Sequence, residues 1–186
     1  MAVRDISLAT SLPQVLFAGR SNVGKSSLLN ALLGRGVKRM NVSRTPGRTQ
    51  RLQAAVVDES FALVDLPGYG FAKAPVNVVR HWQNDVADYL VQSANVRRVF
   101  VCCDARRERP TDLDESFIEY CIQSGLEPQL VWTKVDKANR LSLQPGNAAR
   151  LALPPIFTSS KRGTGLDGLR EAIGDVFADV ERTRSS

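Results

Sequence analysis

The glycine loop Gly19 to Ser26 constrains the fold of this chain more than any other sequence feature. It follows the apolar run Gln14 to Ala18, which is typical of a buried strand, and precedes a segment in which Leu28 and Leu32 share one helical face. The loop reads GRSNVGKS and matches the G-x-x-x-x-G-K-[ST] pattern, in the required place between a strand and a helix. This unit predicts an α/β domain that binds nucleotide phosphates.

The residue types of this loop fit phosphate chemistry. Glycines allow backbone N–H groups to wrap the β-phosphate, and the positive end of the following helix adds to the attraction. Lys25 is expected to neutralise charge on the β- and γ-phosphates, and Ser26 to offer its hydroxyl to Mg²⁺. The residues predicted to bind the nucleotide here are Gly19, Arg20, Ser21, Asn22, Val23, Gly24, Lys25, Ser26 and Ser27.

A second motif, DLPG, begins at Asp65 directly after the apolar run Phe61 to Val64. An aspartate at a strand end is by itself more often a turn former, but beside a phosphate loop it fits a nucleotide switch. Asp65 is then expected beside Mg²⁺ and Gly68 near the γ-phosphate. The nucleotide contacts predicted for this motif are Asp65, Leu66, Pro67 and Gly68.

Guanine selectivity is predicted from the string TKVD, which ends at Asp136 and follows the apolar run Gln129 to Trp132. The Asp136 carboxylate can accept hydrogen bonds from the ring N1–H and the exocyclic amine of guanine, whereas adenine has no such donor pair. A later string after Phe157 can supply a backbone N–H to the guanine carbonyl oxygen. The predicted base contacts are Thr133, Lys134, Val135, Asp136, Thr158, Ser159, Ser160 and Lys161.

Tyr69 follows the DLPG motif, at the position where many signalling GTPases carry a glutamine that orients the attacking water. A phenol is a poor substitute for that amide, so we expect slow intrinsic hydrolysis that depends on a partner. The alternative is that Tyr69 packs against the next helix and takes no part in positioning water.

The rest of the chain alternates apolar strand-like runs with helical spacing, which predicts a mostly parallel sheet covered on both faces. We expect a three-layer α/β P-loop GTPase domain with a mostly parallel six-stranded sheet and one antiparallel edge strand. A capped helix is predicted from Thr111, with Leu113, Phe117 and Cys121 facing inward. Residues 1–186 are expected to form a single domain with a short N-terminal extension at residues 1–12.

Composition limits the classes of partner. No apolar run is long enough for a secretory signal or a membrane span, so we expect a cytoplasmic protein without membrane contact. One histidine and the lack of a C-x-x-C pair argue against a zinc site. The net charge of +6 favours a polyanionic partner, although a generically soluble basic surface explains it equally well.

Together these motifs resemble the translation-factor-related GTPases, and more closely the EngB (also YihA or YsxC) family of ribosome-biogenesis GTP-binding proteins. The resemblance spans nearly the whole chain and implies GTP binding, slow hydrolysis, a role in large ribosomal subunit assembly, and a link to cell division and septation. The strings that carry it are GRSNVGKSSL from Gly19, RTPGRTQ from Arg44, DLPGYGFAK from Asp65, DAR from Asp104 and TKVDK from Thr133.

The resemblance also assigns roles in the segment Arg35 to Arg51, whose composition predicts a long mobile loop. Thr49 is similar to the first-switch threonine that meets Mg²⁺ and the attacking water, with Thr45 as the rival candidate. Some related GTPases with asparagine at the position of Asn22 bind K⁺ there, whereas the alternative is that Asn22 only caps the loop. The implied catalytic residues are Lys25, Thr49, Gly68 and Asn22, the metal ligands are Ser26, Thr49 and Asp65, and the first-switch contacts are Gly47, Arg48, Thr49, Gln50 and Arg51.

The expected ligands are therefore Mg²⁺, GTP or GDP and, by resemblance, K⁺. Arg44 and Arg48 are interpreted as part of a basic surface for ribosomal RNA, and the arginine-finger role remains open. We expect a monomer whose nucleotide state gates assembly of the large ribosomal subunit. The alternatives are a GTP-dependent clamp for RNA or protein in which hydrolysis is incidental, and an ATP-dependent P-loop protein.

Overall fold

A central sheet organises this computed structural model, which describes residues 3–4, 11–34, 53–70, 86, 89–90 and 94–184. Within the described residues the sheet has seven strands. In chain order these are β1 Val3–Arg4, β2 Gln14–Gly19, β3 Gln53–Val57, β4 Phe61–Asp65, β5 Val96–Asp104, β6 Pro128–Thr133 and β7 Ile156–Phe157. Their order across the sheet is β1-β3-β4-β2-β5-β6-β7.

The strands run mostly parallel, as predicted. Strand β2 pairs in parallel with both β4 and β5, and β6 pairs in parallel with both β5 and β7. Strand β3 is antiparallel to β4, to which a turn at residues 58–60 connects it. The α/β class and the antiparallel strand are therefore confirmed.

The short strand β1 lies where the sequence predicted only an N-terminal extension. It pairs antiparallel with β3, with Val3 opposite Ala55 and Arg4 opposite Ala54. Strand β3 is therefore second from the edge of the described sheet, and the antiparallel edge strand is β1. Two residues show too little alternation to be recognised as a strand, although they are enough to pair backbone groups of β3.

Helices cover both faces of the sheet and produce the three layers that were predicted. They are α1 Lys25–Leu33, α2 Asp112–Gln123 and α3 Leu166–Arg184, and residues 86 and 89–90 are also helical. Buried side chains of α1 and α3 share a core with Val15 and Phe17, whereas those of α2 share one with Leu16 and Ala18. No helix among the described residues combines the length and the apolar character that a membrane span requires.

Burial from both sides explains why the central strands are nearly continuous apolar runs. All six residues of β2 and all six of β6 are buried. Alternate side chains of each strand enter opposite cores. On one face the rings of Phe17 and Phe100 stack with their centroids 5.1 Å apart. The sheet is thus fixed by apolar packing on two sides.

The inward face of α2 differs from the prediction at one position. Phe117 and Cys121 are buried as expected, but the side chain of Leu113 is 49% exposed. The buried positions are Asp114, Phe117, Ile118 and Cys121, with the spacing of a single helical stripe. The prediction for Leu113 was wrong because positions four apart drift around the helix, so that the polar residue Asp114 takes the inward place.

Four short 3₁₀ helices also occur among the described residues, and they are Ala105–Arg107, Val135–Lys137, Arg140–Ser142 and Gly146–Arg150. In α3 the apolar side chains of Leu166, Leu169, Ile173 and Val176 are buried at helical spacing. The predicted loop at residues 35–51 lies outside the described residues.

Gly165 allows α3 to begin directly beside β7, because its backbone lies against that of Phe157. Gly165 and Gly163 both have left-handed backbones, with φ of 69° and 74°. A Cβ at Gly165 would overlap the carbonyl oxygen of Phe157, whereas one at Gly163 would meet no atom within 4 Å. Gly163→Ala should lower the free energy of unfolding by about 1–2 kcal/mol through backbone strain. Gly165→Ala should lower it by about 1–3 kcal/mol more, through overpacking.

Urea denaturation of the two variants beside the parent chain measures this difference. Equal losses for the two variants would contradict the steric argument, because the backbone strain is common to both.

Candidate functional site

The predicted motifs meet at the carboxyl edge of the parallel strands. Gly19 ends β2, Asp65 ends β4 and Thr133 ends β6, while Thr158 follows β7. Carboxyl ends of parallel strands share one edge of the sheet, which is the usual place for a ligand in this class. The predicted first-switch residues Thr45, Gly47, Arg48, Thr49, Gln50 and Arg51 lie outside the described residues.

The phosphate loop turns directly into α1. Gly24 has a left-handed backbone with φ of 111°, and its carbonyl accepts the N–H of Leu28 at 2.9 Å. The first turn of α1 contains no acidic residue, and no side chain caps it with a hydrogen bond among the described residues. The positive end of the helix is therefore available to an anion, as the motif predicts.

Three polar side chains converge at the base of this loop. The Ser26 hydroxyl donates to Asp65 Oδ2 at 2.6 Å, and Lys25 Nζ lies 3.3 Å from Asp65 Oδ1. The side chains of Lys25 and Asp65 are only 8% and 0% exposed. Asp65 Oδ1 forms this ion pair but has no hydrogen-bond partner among the described residues. A buried carboxylate oxygen beside a hydroxyl is the oxygen donor set that Mg²⁺ prefers, so these two residues fit the predicted metal site.

The DLPG loop lies directly against the phosphate loop. The backbone N–H of Ser21 donates to the carbonyl of Tyr69 at 2.9 Å, and the N–H of Tyr69 donates to the carbonyl of Gly19 at 3.3 Å. A Cβ at Gly68 would lie 2.9 Å from the Ser21 nitrogen. Only glycine allows this close approach, which places the Gly68 backbone beside the predicted phosphate site.

The side chain of Tyr69 is fixed in the protein interior. It is only 5% exposed, and its hydroxyl donates to Asp114 Oδ1 at 2.6 Å. Its ring lies 5.5 Å from that of Phe117, centroid to centroid. Burial, and then the nearby Asp114 charge, raise the pKa of Tyr69 well above its usual value. The phenol is therefore packed in the interior, as the alternative interpretation proposed, but this hydrogen bond and this ring contact are made with α2 and not with the next helix along the chain.

Asp114 serves both Tyr69 and the start of α2. Its Oδ2 accepts the backbone N–H of Thr111 at 2.8 Å and the Thr111 hydroxyl at 2.7 Å, as part of a capping box. Its other oxygen accepts the phenol of Tyr69. The cap at Thr111 was predicted, but the contact with Tyr69 was not, because no local sequence pattern pairs residues 69 and 114.

The predicted guanine loop is connected to the phosphate loop by side chains that bind backbone carbonyls. The Thr133 hydroxyl lies 2.7 Å from the carbonyl of Val23 and 3.1 Å from that of Cys103. Lys134 Nζ donates to the carbonyl of Asn22 at 2.6 Å. The backbones of Asn22 and Lys134 are both left-handed, with φ of 63° and 58°. These hydrogen bonds therefore hold the predicted guanine loop and the phosphate loop together.

Asp136 is held at the rim by the following loop. Its Oδ1 accepts the Ser159 hydroxyl at 2.7 Å, and that hydroxyl accepts the N–H of Arg162 at 3.2 Å. The hydrogen bond from Ser159 is the main reason that the pKa of Asp136 is lowered. The carboxylate therefore stays ionised, which is the acceptor form that guanine recognition needs.

In the loop at residues 158–161, the first two residues are buried and the last two are exposed. The Thr158 N–H and hydroxyl donate to the carbonyl of Trp132 at 2.6 and 2.9 Å, and its own carbonyl accepts the Val135 N–H at 3.2 Å. Ser159 is 1% exposed, whereas Ser160 and Lys161 are exposed. A guanine contact by Ser160 or Lys161 stays a prediction.

Asp104 lies beside the predicted site, although the sequence suggested no role for it beyond its place in the string DAR. It ends β5 at the same sheet edge and accepts Lys134 Nζ at 2.9 Å and Arg106 Nη2 at 2.6 Å. The rule that identified Asp65, an acidic residue at the end of an apolar strand, applies equally to Asp104. That signal was therefore present in the sequence and was not used.

Comparisons with known proteins agree with this geometry. A family model described as "50S ribosome-binding GTPase" matches residues 14–134. A probable GTP-binding protein EngB of Roseobacter denitrificans is 43% identical over 191 residues, which cover 94% of this chain and 86% of the relative. A protein of the same description from Rhizobium etli is 40% identical over 195 residues, covering 92% and 88%.

Solved structures show the same fold. The crystal structure of a probable GTP-binding protein engB has a TM-score of 0.71 at 22% identity and covers 89% of this chain and 99% of that chain. The G domain of the T. maritima FeoB iron transporter has a TM-score of 0.59 at 27% identity and covers 89% and 98%.

The buried hydrogen bond between Tyr69 and Asp114 is expected to stabilise the fold. Tyr69→Phe removes a hydrogen bond to a charged group and should lower the free energy of unfolding by about 1.5–3 kcal/mol. Tyr120→Phe, which removes a hydroxyl from a partly buried position on α2, the helix that carries Asp114, should change it by less than about 0.5 kcal/mol. Chemical denaturation measures both variants. Equal losses would show that the Tyr69 hydroxyl contributes nothing specific.

Proposed function

The chain belongs to the EngB family of GTP-binding proteins, and on that premise we propose that it is a Mg²⁺-dependent GTPase with slow intrinsic turnover that acts in large ribosomal subunit assembly. The observation that carries the proposal is the meeting of the phosphate loop, Asp65 and the guanine loop at one sheet edge. The protein acts as a single cytoplasmic G domain over residues 1–186, as a monomer, and the family link to cell division and septation follows from this role.

Phosphate binding is assigned to the loop and to α1. Backbone N–H groups of the loop and the first turn of α1 face the β-phosphate, and the buried Lys25 ammonium neutralises charge on the β- and γ-phosphates. When GTP is bound, Lys25 exchanges its contact with Asp65 for the phosphate oxygens.

Ser26 and Asp65 are the described residues that would hold Mg²⁺, and Thr49 is the proposed third ligand. The ion would supply positive charge between the β- and γ-phosphates. Ser26 and Asp65 are already in contact and Asp65 is fully buried, so little rearrangement of the protein is needed to present their oxygens.

Slow hydrolysis follows from the position of Tyr69. Its phenol is bound to Asp114, so it is not available to orient water, and the Gly68 backbone and Thr49 are left to do so. Asn22 is the proposed K⁺ ligand beside the phosphates. Because these groups orient water incompletely, the nucleotide state is expected to last until a partner completes the site.

The partner proposed is the large ribosomal subunit or an assembly intermediate of it. The family description names 50S ribosome binding, and the net charge of +6 supports contact with ribosomal RNA. GTP hydrolysis then acts as the signal for release from the particle.

Multiple-turnover GTP hydrolysis with and without large ribosomal subunits tests this function. We expect stimulation of about tenfold or more by the subunits, and a further requirement for K⁺ over Na⁺. Subunit binding that depends on GTP without any stimulation would favour the clamp, in which hydrolysis is incidental. Equal rates in K⁺ and Na⁺ would contradict the role of Asn22.

Asp136→Asn tests base recognition. An asparagine amide has one acceptor oxygen instead of two, so it cannot accept hydrogen bonds from both guanine donors as the carboxylate does. The affinity for GDP should therefore fall by about 100-fold or more, and the variant should bind xanthosine diphosphate more tightly than the parent chain does. Asp58→Asn, in the exposed turn between β3 and β4, is the matched control and should leave both affinities unchanged. Competition binding with the two nucleotides measures the effect. Unchanged guanine preference in Asp136→Asn would contradict the assigned site.

A further inference from the structure

Three charged side chains, Arg106, Asp104 and Lys134, form a continuous series of contacts that connects the end of β5 to the phosphate loop. Lys134 Nζ donates to the Asn22 carbonyl at 2.6 Å and to Asp104 Oδ2 at 2.9 Å. Asp104 pairs with Thr133 in the register of β5 and β6, so a third strand end contributes to the site. No nucleotide contact has been assigned to Asp104.

Lys134 depends on Asp104 for its counter-charge. The Lys134 side chain is 23% exposed and that of Asp104 is 9% exposed, so water screens this pair only in part. A lysine stem has many rotamers, and a neutral carbonyl alone is a weak restraint on them. The carboxylate and the Asn22 carbonyl together restrain the ammonium from two sides.

Arg106 in turn fixes the carboxylate. Its Nε donates to Asp104 Oδ1 at 2.9 Å and its Nη2 to Oδ2 at 2.6 Å, and the Arg106 backbone N–H donates to Oδ1 at 3.1 Å. Burial alone would raise the pKa of Asp104, but the hydrogen bonds from Arg106 and Lys134 outweigh it and lower the pKa to about 2. Asp104 is therefore charged throughout the physiological range.

The Lys134 stem also lies along the phosphate loop. A Cβ at Gly24 would be 3.5 Å from Lys134 Cε. The stem therefore passes beside Gly24 before its ammonium reaches Asn22, and a shift of the stem displaces both the guanine loop and the phosphate loop. The position of Asp104 thus affects two sides of the nucleotide.

We propose that Asp104 is a positioning residue for nucleotide retention, which acts through Lys134 to keep the guanine loop and the phosphate loop together. Its described partners are the side chains of Lys134 and Arg106 and the Arg106 backbone. The inference rests on the proposed function, because it assumes that guanine nucleotides occupy this site.

Dissociation of a fluorescent GDP analogue, measured by stopped flow, tests the proposal with Asp104→Asn, Lys134→Met and the double variant. Methionine keeps the stem of Lys134 and removes its charge. Asp104→Asn should accelerate dissociation about tenfold, Lys134→Met by a similar factor, and the double variant no further. For Asp104→Asn the KM for GTP should rise while kcat at saturation stays within about twofold.

Two controls separate positioning from loss of stability. Glu127→Gln removes the ion pair with Arg98 at the opposite end of β5, and Val176→Ala removes buried methyl groups from α3. Both should dissociate GDP at the parent rate. If either control accelerates dissociation as much as Asp104→Asn, a general effect of stability overturns the inference.

The remaining outcomes are also decisive. If the parent chain does not retain GDP, the proposed function fails. If it does, an unchanged rate in Asp104→Asn, or factors that multiply in the double variant, overturns only the inference. If Asp104→Asn does not fold, Arg106→Gln is measured in its place. This variant keeps the Asp104 carboxylate but removes the guanidinium that binds both of its oxygens, and GDP dissociation about threefold faster is expected.

Discussion

Parallel pairing of β2 on both of its sides places the phosphate loop beside the ends of β4 and β5. Phe17 is opposite Asp65 on one side, and Gly19 is opposite Cys102 on the other. Strand side chains alternate, so a slip of one residue would turn Asp65 towards the wrong face and remove it from Ser26. The apolar cores on the two faces hold this register, and the chemistry at the sheet edge depends on packing far from it.

The loops at that edge hold one another mainly through backbone atoms. Thr133 and Lys134 bind carbonyls of the phosphate loop from one side, and the backbone of Tyr69 pairs with it from the other. The shape of the phosphate loop is therefore set by its two neighbours as well as by its own glycines. This arrangement explains why a residue such as Asp104, which lies behind the loop, can affect how a nucleotide is held.

Much of this could be predicted from the sequence, because glycine spacing and apolar runs are local signals. They identified the strand, loop and helix around Lys25 and the carboxylates Asp65 and Asp136. The errors arose where a contact joins distant parts of the chain. Leu113 was placed inward by spacing alone, whereas the inward position belongs to Asp114, whose partner Tyr69 is 45 residues away. Strand β1 is too short for its pattern to be distinguished from an irregular segment.

Asp114 limits how the DLPG loop and Tyr69 can move, because its two carboxylate oxygens bind different parts of the chain. One oxygen holds Tyr69 and the other holds the first turn of α2, so a displacement of Tyr69 must either break a buried hydrogen bond to a charge or bring the helix start with it. Gly70, with φ of 76°, is the first residue beyond this anchor. The backbone up to Tyr69 is therefore tied to α2 and can be displaced only together with it or at the cost of that hydrogen bond.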